Sequence, residues 1–272
     1  TMRCPYCQSE VDEKDVFCLN CGARLETSIL QERTSPPLFC GENSITVEAP
    51  QVQFEESSRE AFIKKVYIHL LFSIFLFGII ELMLIFSHSA NVIAEEMVSG
   101  KNWIFVLIAY IGVSSIAMKC AETKNDRLTQ YIALLVYIVA EAIIFLPLLL
   151  FAETVASYAI PHAIVLTAAL CVGLTICVFM SGKRFDFLYK YIIVGGILSV
   201  GLIFSAIIFG FNLGLLFSLC MVFLGSMALL YQTDAIAYEY GEDDYVAASM
   251  AIFSSVMLIF WYILRAFIQD DE

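Results

Sequence analysis

Charged side chains are scarce in this sequence of 272 residues. Asp, Glu, Lys and Arg together make up 15% of the chain, and hydrophobic residues make up 60%. Soluble domains carry about 25% charged residues. The mean hydropathy of +0.81 also lies well above the soluble range. The scarcity of charge excludes a soluble globular protein and indicates an integral membrane protein.

Basic residues are scarcer than acidic residues in this chain. The chain has 15 Lys and Arg against 27 Asp and Glu, a formal net charge of -12. The acidic residues concentrate near the N-terminus, in the connections and at the C-terminal end. Phosphate binding needs the opposite sign of charge, so nucleic acid is excluded as a partner.

Motifs of intramembrane proteolysis are also missing from the sequence. The chain has no HExxH motif, and no Ser/Lys or paired-Asp arrangement occurs at matching depth in its apolar segments. Such groups supply the nucleophile or the activated water in proteases. The sequence therefore predicts that the protein is not an enzyme.

Seven apolar runs are long enough to cross a hydrocarbon core of about 30 Å. The joints between several of them allow only tight turns, so consecutive helices are antiparallel neighbours. The sequence predicts an all-α polytopic membrane protein. The predicted spans are residues 66–87, 103–119, 130–151, 163–181, 191–209, 213–231 and 246–268.

Lys and Arg are distributed unevenly between the two sides of these spans. Nine flank one set of helix ends, whereas only Lys101 and Arg265 flank the other set. Basic flanks are retained in the cytoplasm. The pattern predicts a multi-pass plasma-membrane protein with a cytoplasmic N-terminus and an external C-terminus. The connection 232–245 fits poorly, because it should be cytoplasmic but contains no Lys or Arg.

Four cysteines near the N-terminus have the spacing Cys-x2-Cys-x10-Cys-x2-Cys. Two such pairs can present four thiolates to a tetrahedral Zn²⁺. Two disulfides are the competing interpretation, but a reducing cytoplasm disfavours them. We expect a structural zinc site formed by Cys4, Cys7, Cys18 and Cys21.

The cysteine module divides the chain into three predicted parts. A zinc ribbon covers residues 1–27, a flexible linker covers 28–58, and the membrane domain covers 59–272. The ribbon has three basic and five acidic residues, a balance that repels phosphate. It is therefore expected to contact a protein partner or to serve a regulatory role.

Two carboxylates fall inside the predicted spans, where an ionisable group is costly unless it faces a cavity or a partner. Glu141 is at the middle of the third span, and Pro147 frees the carbonyl of Ile143 nearby. This cluster could bind a cation or relay a proton, or Glu141 could be a neutral packing group. Glu81, in the outer third of the first span, is expected to line the external side of the same pathway or to reach the head groups.

Four segments of the sequence together resemble the Bax inhibitor-1 family, and they agree with it in order and spacing. No single segment is specific, but the set is, and the resemblance covers about residues 58–268. The zinc ribbon lies outside the common domain of the family and looks like a prokaryotic fusion. The segments are FIKKVYIHL (62–70), YIVAEAIIFLPLL (137–149), YQTDAI (231–236) and GEDDYVAA (241–248).

The resemblance implies six helices around a central last helix, with a calcium leak that is gated by pH. In the family, two aspartates on the last two helices share a proton near the cytoplasmic mouth. The matching positions here are Gln232 and Ser255, which cannot titrate. Asp234, two residues further along, is the candidate replacement for one of the pair.

These observations lead to two alternative functions. In the first, the protein is a pH-sensitive cation leak channel or transporter, with Ca²⁺ as the permeant ion and Glu141 as its central ligand. In the second, it conducts nothing and binds membrane proteases or other envelope proteins through the ribbon.

Overall fold

A computed structural model describes four stretches of the chain: residues 2–3, 10–11, 50–123 and 126–270. The chain divides into two units, residues 1–48 and residues 49–272. In the first unit, strand β1 (Met2–Arg3) pairs with strand β2 (Glu10–Val11) in antiparallel register.

The second unit is a helical bundle. Seven of its described helices are long and apolar enough to cross a membrane. The predicted seven-span, all-α architecture is confirmed, but the short amphipathic helix α2 was not predicted. The helices are α1 (Pro50–Ile85), α2 (His88–Val98), α3 (Asn102–Ala121), α4 (Arg127–Val155), α5 (Ala159–Ser181), α6 (Leu188–Phe209), α7 (Leu215–Tyr238) and α8 (Tyr245–Asp270).

The bundle has two ends of different charge. We call one the basic end, because Arg59, Arg127 and Arg184 lie there, where α1, α4, α6 and α8 enter the membrane segment. The opposite end contains α2 and, near the end of α8, Arg265.

Helix α8 lies at the centre of the bundle. Within its most apolar window 78% of the residues are buried, compared with 6% for α6. It packs against α1, α3, α4, α5 and α7, whereas the main contact of α6 is with α7. The predicted central position of the last helix is therefore confirmed, and α6 is peripheral.

Two glycines allow close approach between helices. A Cβ atom at Gly195 of α6 would lie 2.7 Å from Leu224 Cδ1 of α7. A Cβ at Gly225 would lie 2.8 Å from Ile259 Cγ1 of α8. Lipid tails provide little hydrophobic drive for helix association, so packing at such small residues is what joins the helices.

Candidate functional site

Glu141 is at the midpoint of the 29-residue helix α4, far from both membrane surfaces. Its side chain is only 3% exposed. The hydroxyl of Tyr110, on α3, donates a 2.7 Å hydrogen bond to Glu141 Oε1. Helix α4 continues through Pro147 to Val155 without interruption. The carboxyl is thus presented to the bundle interior by one helix and held by its neighbour.

A cavity of about 270 Å³ surrounds this carboxyl group. Its walls come mainly from α3, α4 and α8, and they combine aromatic rings with a few polar groups. Cavities lined in this way, with a small number of convergent polar groups, are the usual form of ligand and ion sites. The lining residues nearest the carboxyl include Tyr110, Tyr137, Ile144, Phe145 and Ser254.

The cavity extends from the middle of the bundle toward the opposite end. Arg265 also lines it, 11 residues after Ser254, which corresponds to about 16 Å along a helix. The guanidinium of Arg265 donates a 2.8 Å hydrogen bond to the carbonyl of Leu213. Trp103 and Trp261 stack with ring centroids 6.4 Å apart beside this passage. The lining of the cavity therefore extends from Glu141 toward Arg265 at the opposite end.

Toward the basic end, the bundle interior is filled by side chains. The lining residues reach no farther in this direction than Tyr137 and Ser254. Leu134, Met250 and Phe253 are buried beyond them. The rings of Tyr137 and Phe253 meet edge to face at 6.1 Å. Between α4 and α8, the bundle is therefore closed toward the basic end.

The connection between α7 and α8 at the basic end is held by arginines from other elements. Arg59 donates hydrogen bonds to the carbonyls of Ala237 at 2.8 Å and Tyr240 at 2.5 Å. Arg127 pairs with the carboxylate of Asp243 and donates to its carbonyl at 2.9 Å. The connection between α7 and α8 is therefore fastened to α1 and to the start of α4.

Arg184 forms a third contact at this end. It lies between α5 and α6, and its Nε donates to Asp234 Oδ2 at 3.2 Å. Its Nη2 bonds Asp186 Oδ1 and Glu239 Oε1, each at 2.7 Å. Asp234 is fully buried, and its second oxygen has no hydrogen-bond partner among the described residues. One guanidinium thus contacts three carboxylates, from the α5–α6 connection, from α7 and from the residue that follows α7.

The carboxylates of Asp186 and Glu239 have shifted pKa values. The hydrogen bond from Arg184 lowers the pKa of Asp186. Burial, and then the neighbouring Asp186 carboxyl, raise the pKa of Glu239 above its ordinary value of 4.5. Hydrogen bonding to Asp186 in turn raises the pKa of Arg184. Glu239 is therefore the group of the Asp186–Glu239 pair that takes up a proton first as the pH falls.

The two family positions that lack aspartate have different surroundings. Ser255 is 4% exposed, and its hydroxyl donates to the carbonyl of Ala251 at 3.2 Å, one turn earlier on α8. Gln232 accepts a long, 3.5 Å hydrogen bond from the Tyr240 hydroxyl. Neither residue takes part in the Arg184 cluster. That cluster contains Asp234, the candidate replacement for one aspartate of the family pair.

Glu81 does not share the cavity of Glu141. It is 4% exposed, and it lines a second cavity between α1 and α5. Neither of its carboxylate oxygens has a hydrogen-bond partner among the described residues. The structure therefore separates the two intramembrane carboxylates that the sequence suggested for one pathway.

The predicted zinc ligands Cys4, Cys7, Cys18 and Cys21 lie outside the described residues. Within the stretches 50–123 and 126–270, no group of three or more His, Cys, Asp or Glu side chains has an arrangement that could hold a metal ion. Cys120, Cys171, Cys177 and Cys220 are free thiols on separate parts of these helices.

These features define a multi-pass helical membrane protein with a central last helix and a carboxyl group at the middle of the membrane. A comparison with family models agrees, because the model for the inhibitor of apoptosis-promoting Bax1 matches residues 59–272. The chain therefore belongs to the Bax inhibitor-1 family, which contains membrane channels and regulators. A zinc-ribbon domain matches residues 3–25. Both resemblances expected from the sequence are confirmed, and a comparison with curated proteins finds no match.

Proposed function

We propose that this protein is a pH-sensitive cation leak channel or transporter, with calcium as the permeant ion. The observation that carries the proposal is Glu141, a buried carboxyl group at the middle of a membrane-spanning helix, in a cavity that extends toward the opposite end of the bundle. An intramembrane carboxyl costs several kcal/mol unless it serves a cavity or a partner. Carboxylate oxygens are also the ligands that Ca²⁺ prefers.

The observed structure corresponds to the closed state of this pathway. A cation that reaches Glu141 from the opposite end meets Tyr137 and the buried Phe253 next. It also passes Arg265, whose positive charge repels it. We infer a slow leak that requires movement of α8 relative to α4, rather than a permanently open pore.

The Arg184 cluster is the proposed pH sensor, in place of the family's aspartate pair. The closed structure raises the pKa of Glu239, so it binds a proton at Glu239 more tightly than an open state with a solvated Glu239 would. Falling pH therefore favours the closed state, and rising pH favours opening. Asp186 acts in the opposite sense, because the closed structure lowers its pKa. Its effect is confined to pH values below its ordinary pKa of 3.8.

We place the basic end in the cytoplasm, following the distribution of Lys and Arg. In this orientation the acidic connection 239–244 faces the cytoplasm, and Arg59, Arg127 and Arg184 from other elements balance its charge. The zinc ribbon, residues 1–27, would be cytoplasmic and connected by residues 28–58 to the membrane domain, residues 59–272. Cys4, Cys7, Cys18 and Cys21 would hold its structural Zn²⁺.

A non-conducting adaptor is the second candidate function. It is favoured by Gln232 and Ser255 at the family's aspartate positions and by the filled interior beside Phe253. In this case the ribbon would bind a membrane protease or another envelope protein, and the helices would serve as its anchor.

Calcium uptake into proteoliposomes across a pH series tests the proposal. Purified full-length protein should raise uptake above that of empty vesicles, and the uptake should increase with pH. A variant without residues 1–27 should still conduct if the ribbon is an accessory. Absence of uptake at every pH, from protein that is folded and zinc-loaded, would refute the channel function and favour the adaptor.

A further inference from the structure

The cavity that contains Glu81 is larger than that of Glu141 and lies on another side of α8. Its volume is about 670 Å³. Helices α1 and α5 form its two walls, and residues of α8 such as Ile252 and Phe260 form its floor. Apart from a few polar side chains, all of these walls are hydrocarbon.

This cavity faces the lipid along its open side. Leu71 and Leu82 of α1, with Ile164 and Val172 of α5, line its rim, and each is more than half exposed. In a membrane, exposed apolar side chains at this depth contact acyl chains. Lipid can therefore enter sideways between the two helices without crossing an aqueous phase.

Polar groups in this apolar cavity lack partners within the protein. Both carboxylate oxygens of Glu81 and the hydroxyl of Thr167 are buried without a hydrogen bond among the described residues. Glu81 is 4% exposed and Thr167 is 5% exposed. Burying such groups unpaired is costly, and a carboxylate is the costlier of the two. A ligand that donates hydrogen bonds to Glu81 would remove this cost.

The cavity also has the length of a lipid chain. It extends along α1 from Tyr67 to Ile85, 18 residues that span about 27 Å. Glu81 is four residues before the end of α1 at Ile85, which is about 6 Å of helix. The unpartnered carboxyl group is therefore just below one membrane surface, where a head group lies, and the apolar walls continue toward the other surface.

We propose that this cavity binds one acyl chain of a membrane phospholipid whose primary ammonium head group donates hydrogen bonds to Glu81. An ionised carboxylate can only accept hydrogen bonds. A primary ammonium supplies three donors and the complementary charge, whereas the quaternary ammonium of choline supplies no donor. Ethanolamine lipids therefore fit Glu81, and choline lipids of the same chain length and net charge do not.

Lipid retention measured by native mass spectrometry tests this site on the purified full-length protein. The probes are phosphatidylethanolamine, phosphatidylcholine and phosphatidylglycerol with identical acyl chains. A charge-assisted hydrogen bond predicts retention of the ethanolamine lipid about tenfold above that of the choline lipid. Glu81→Leu should abolish this preference, and Glu81→Gln, which keeps an acceptor, should preserve part of it.

A second pair of variants tests the cavity itself. Gly78 lines it, and a Cβ atom there meets nothing within 4 Å, so Gly78→Phe can extend into the open space. This variant should lower the retention of all three lipids. Gly112→Phe is the matched control, because Gly112 is equally unobstructed but lines neither described cavity.

Three results would overturn the proposal. Equal retention of ethanolamine and choline lipids would remove the role of the ammonium group. Preferred retention of phosphatidylglycerol would assign the site to a hydroxyl head group instead. Unchanged retention in Gly78→Phe would place the lipid elsewhere. Glu141→Gln should leave retention unaffected, so a failure of the lipid site and a failure of the ion pathway are distinguishable.

Discussion

The Tyr110 hydroxyl donates a 2.7 Å hydrogen bond to Glu141, joining α3 to α4 at the centre of the membrane. Tyr110→Phe removes this donor and leaves Glu141 Oε1 without its partner. We expect the variant to lose about 1 kcal/mol of stability or somewhat more, because a buried polar group becomes unsatisfied. Thermal unfolding in detergent measures the loss. Tyr191→Phe, at an exposed position on α6, is the control and should unfold like the wild type.

Gly225 of α7 lies where this helix packs closely against Ile259 of α8. Gly225→Ala should destabilise the bundle by about 1–3 kcal/mol, because its Cβ would lie 2.8 Å from Ile259 Cγ1. Gly196→Ala meets nothing within 4 Å and should be neutral or slightly stabilising, as in any helix. The free energies of unfolding of the two variants, measured by denaturation, would show whether close helix packing or the flexibility of glycine determines the effect on stability. Equal stability would refute the packing account.

Arg184 should hold the basic end closed. Arg184→Gln removes the contacts to Asp234, Asp186 and Glu239 together, so calcium uptake should rise at all pH values. Lys183→Gln is the matched control, since it removes one neighbouring positive charge but none of these contacts. Lower uptake in Arg184→Gln would show that the cluster supports conduction instead of closing the pathway.

Glu239 should set the pH response. The closed state raises the pKa of Glu239 above its ordinary value of 4.5, so loss of this proton weakens the closed state. Calcium uptake should therefore increase as the pH rises through the raised pKa. Glu239→Gln imitates the protonated form and should give low uptake without a pH response in this range. Glu95→Gln, on α2 at the other end, should respond like the wild type. A pH profile that is unchanged in Glu239→Gln would remove Glu239 as the sensor.

The ribbon should bind one zinc ion per chain. Cys18→Ser should lower the zinc content of the purified protein to background, because three thiolates hold the metal less firmly than four. Cys177→Ser, an exposed thiol on α5, should keep it. Elemental analysis measures both. Full zinc content in Cys18→Ser would contradict the predicted ligand set.

Span number and the burial of Glu141 could be predicted from the residues themselves, and the central last helix was implied by the family resemblance. Length and apolarity define each span, and a carboxyl at mid-helix has few places to face except the interior. Helix α2 was missed because its 11 residues are too short for a span and lie between two apolar runs.

The Arg184 cluster was not predicted, because its members are distant in sequence. Arg184 and Glu239 are 55 residues apart. A signal was nevertheless present, since the α5–α6 connection is basic, the α7–α8 connection is acidic, and both fall at the same end. The separation of Glu81 from Glu141 could not be predicted, because it depends on which helices flank α8.

Calcium uptake by Glu141→Gln is the measurement that tests the central claim most directly. It should be compared with the wild type and with Glu153→Gln, which removes an exposed carboxylate from the same helix. If Glu141 is the central ligand, uptake is lost in Glu141→Gln and kept in Glu153→Gln. Uptake that remains at the wild-type level in Glu141→Gln would show that the ion takes another route.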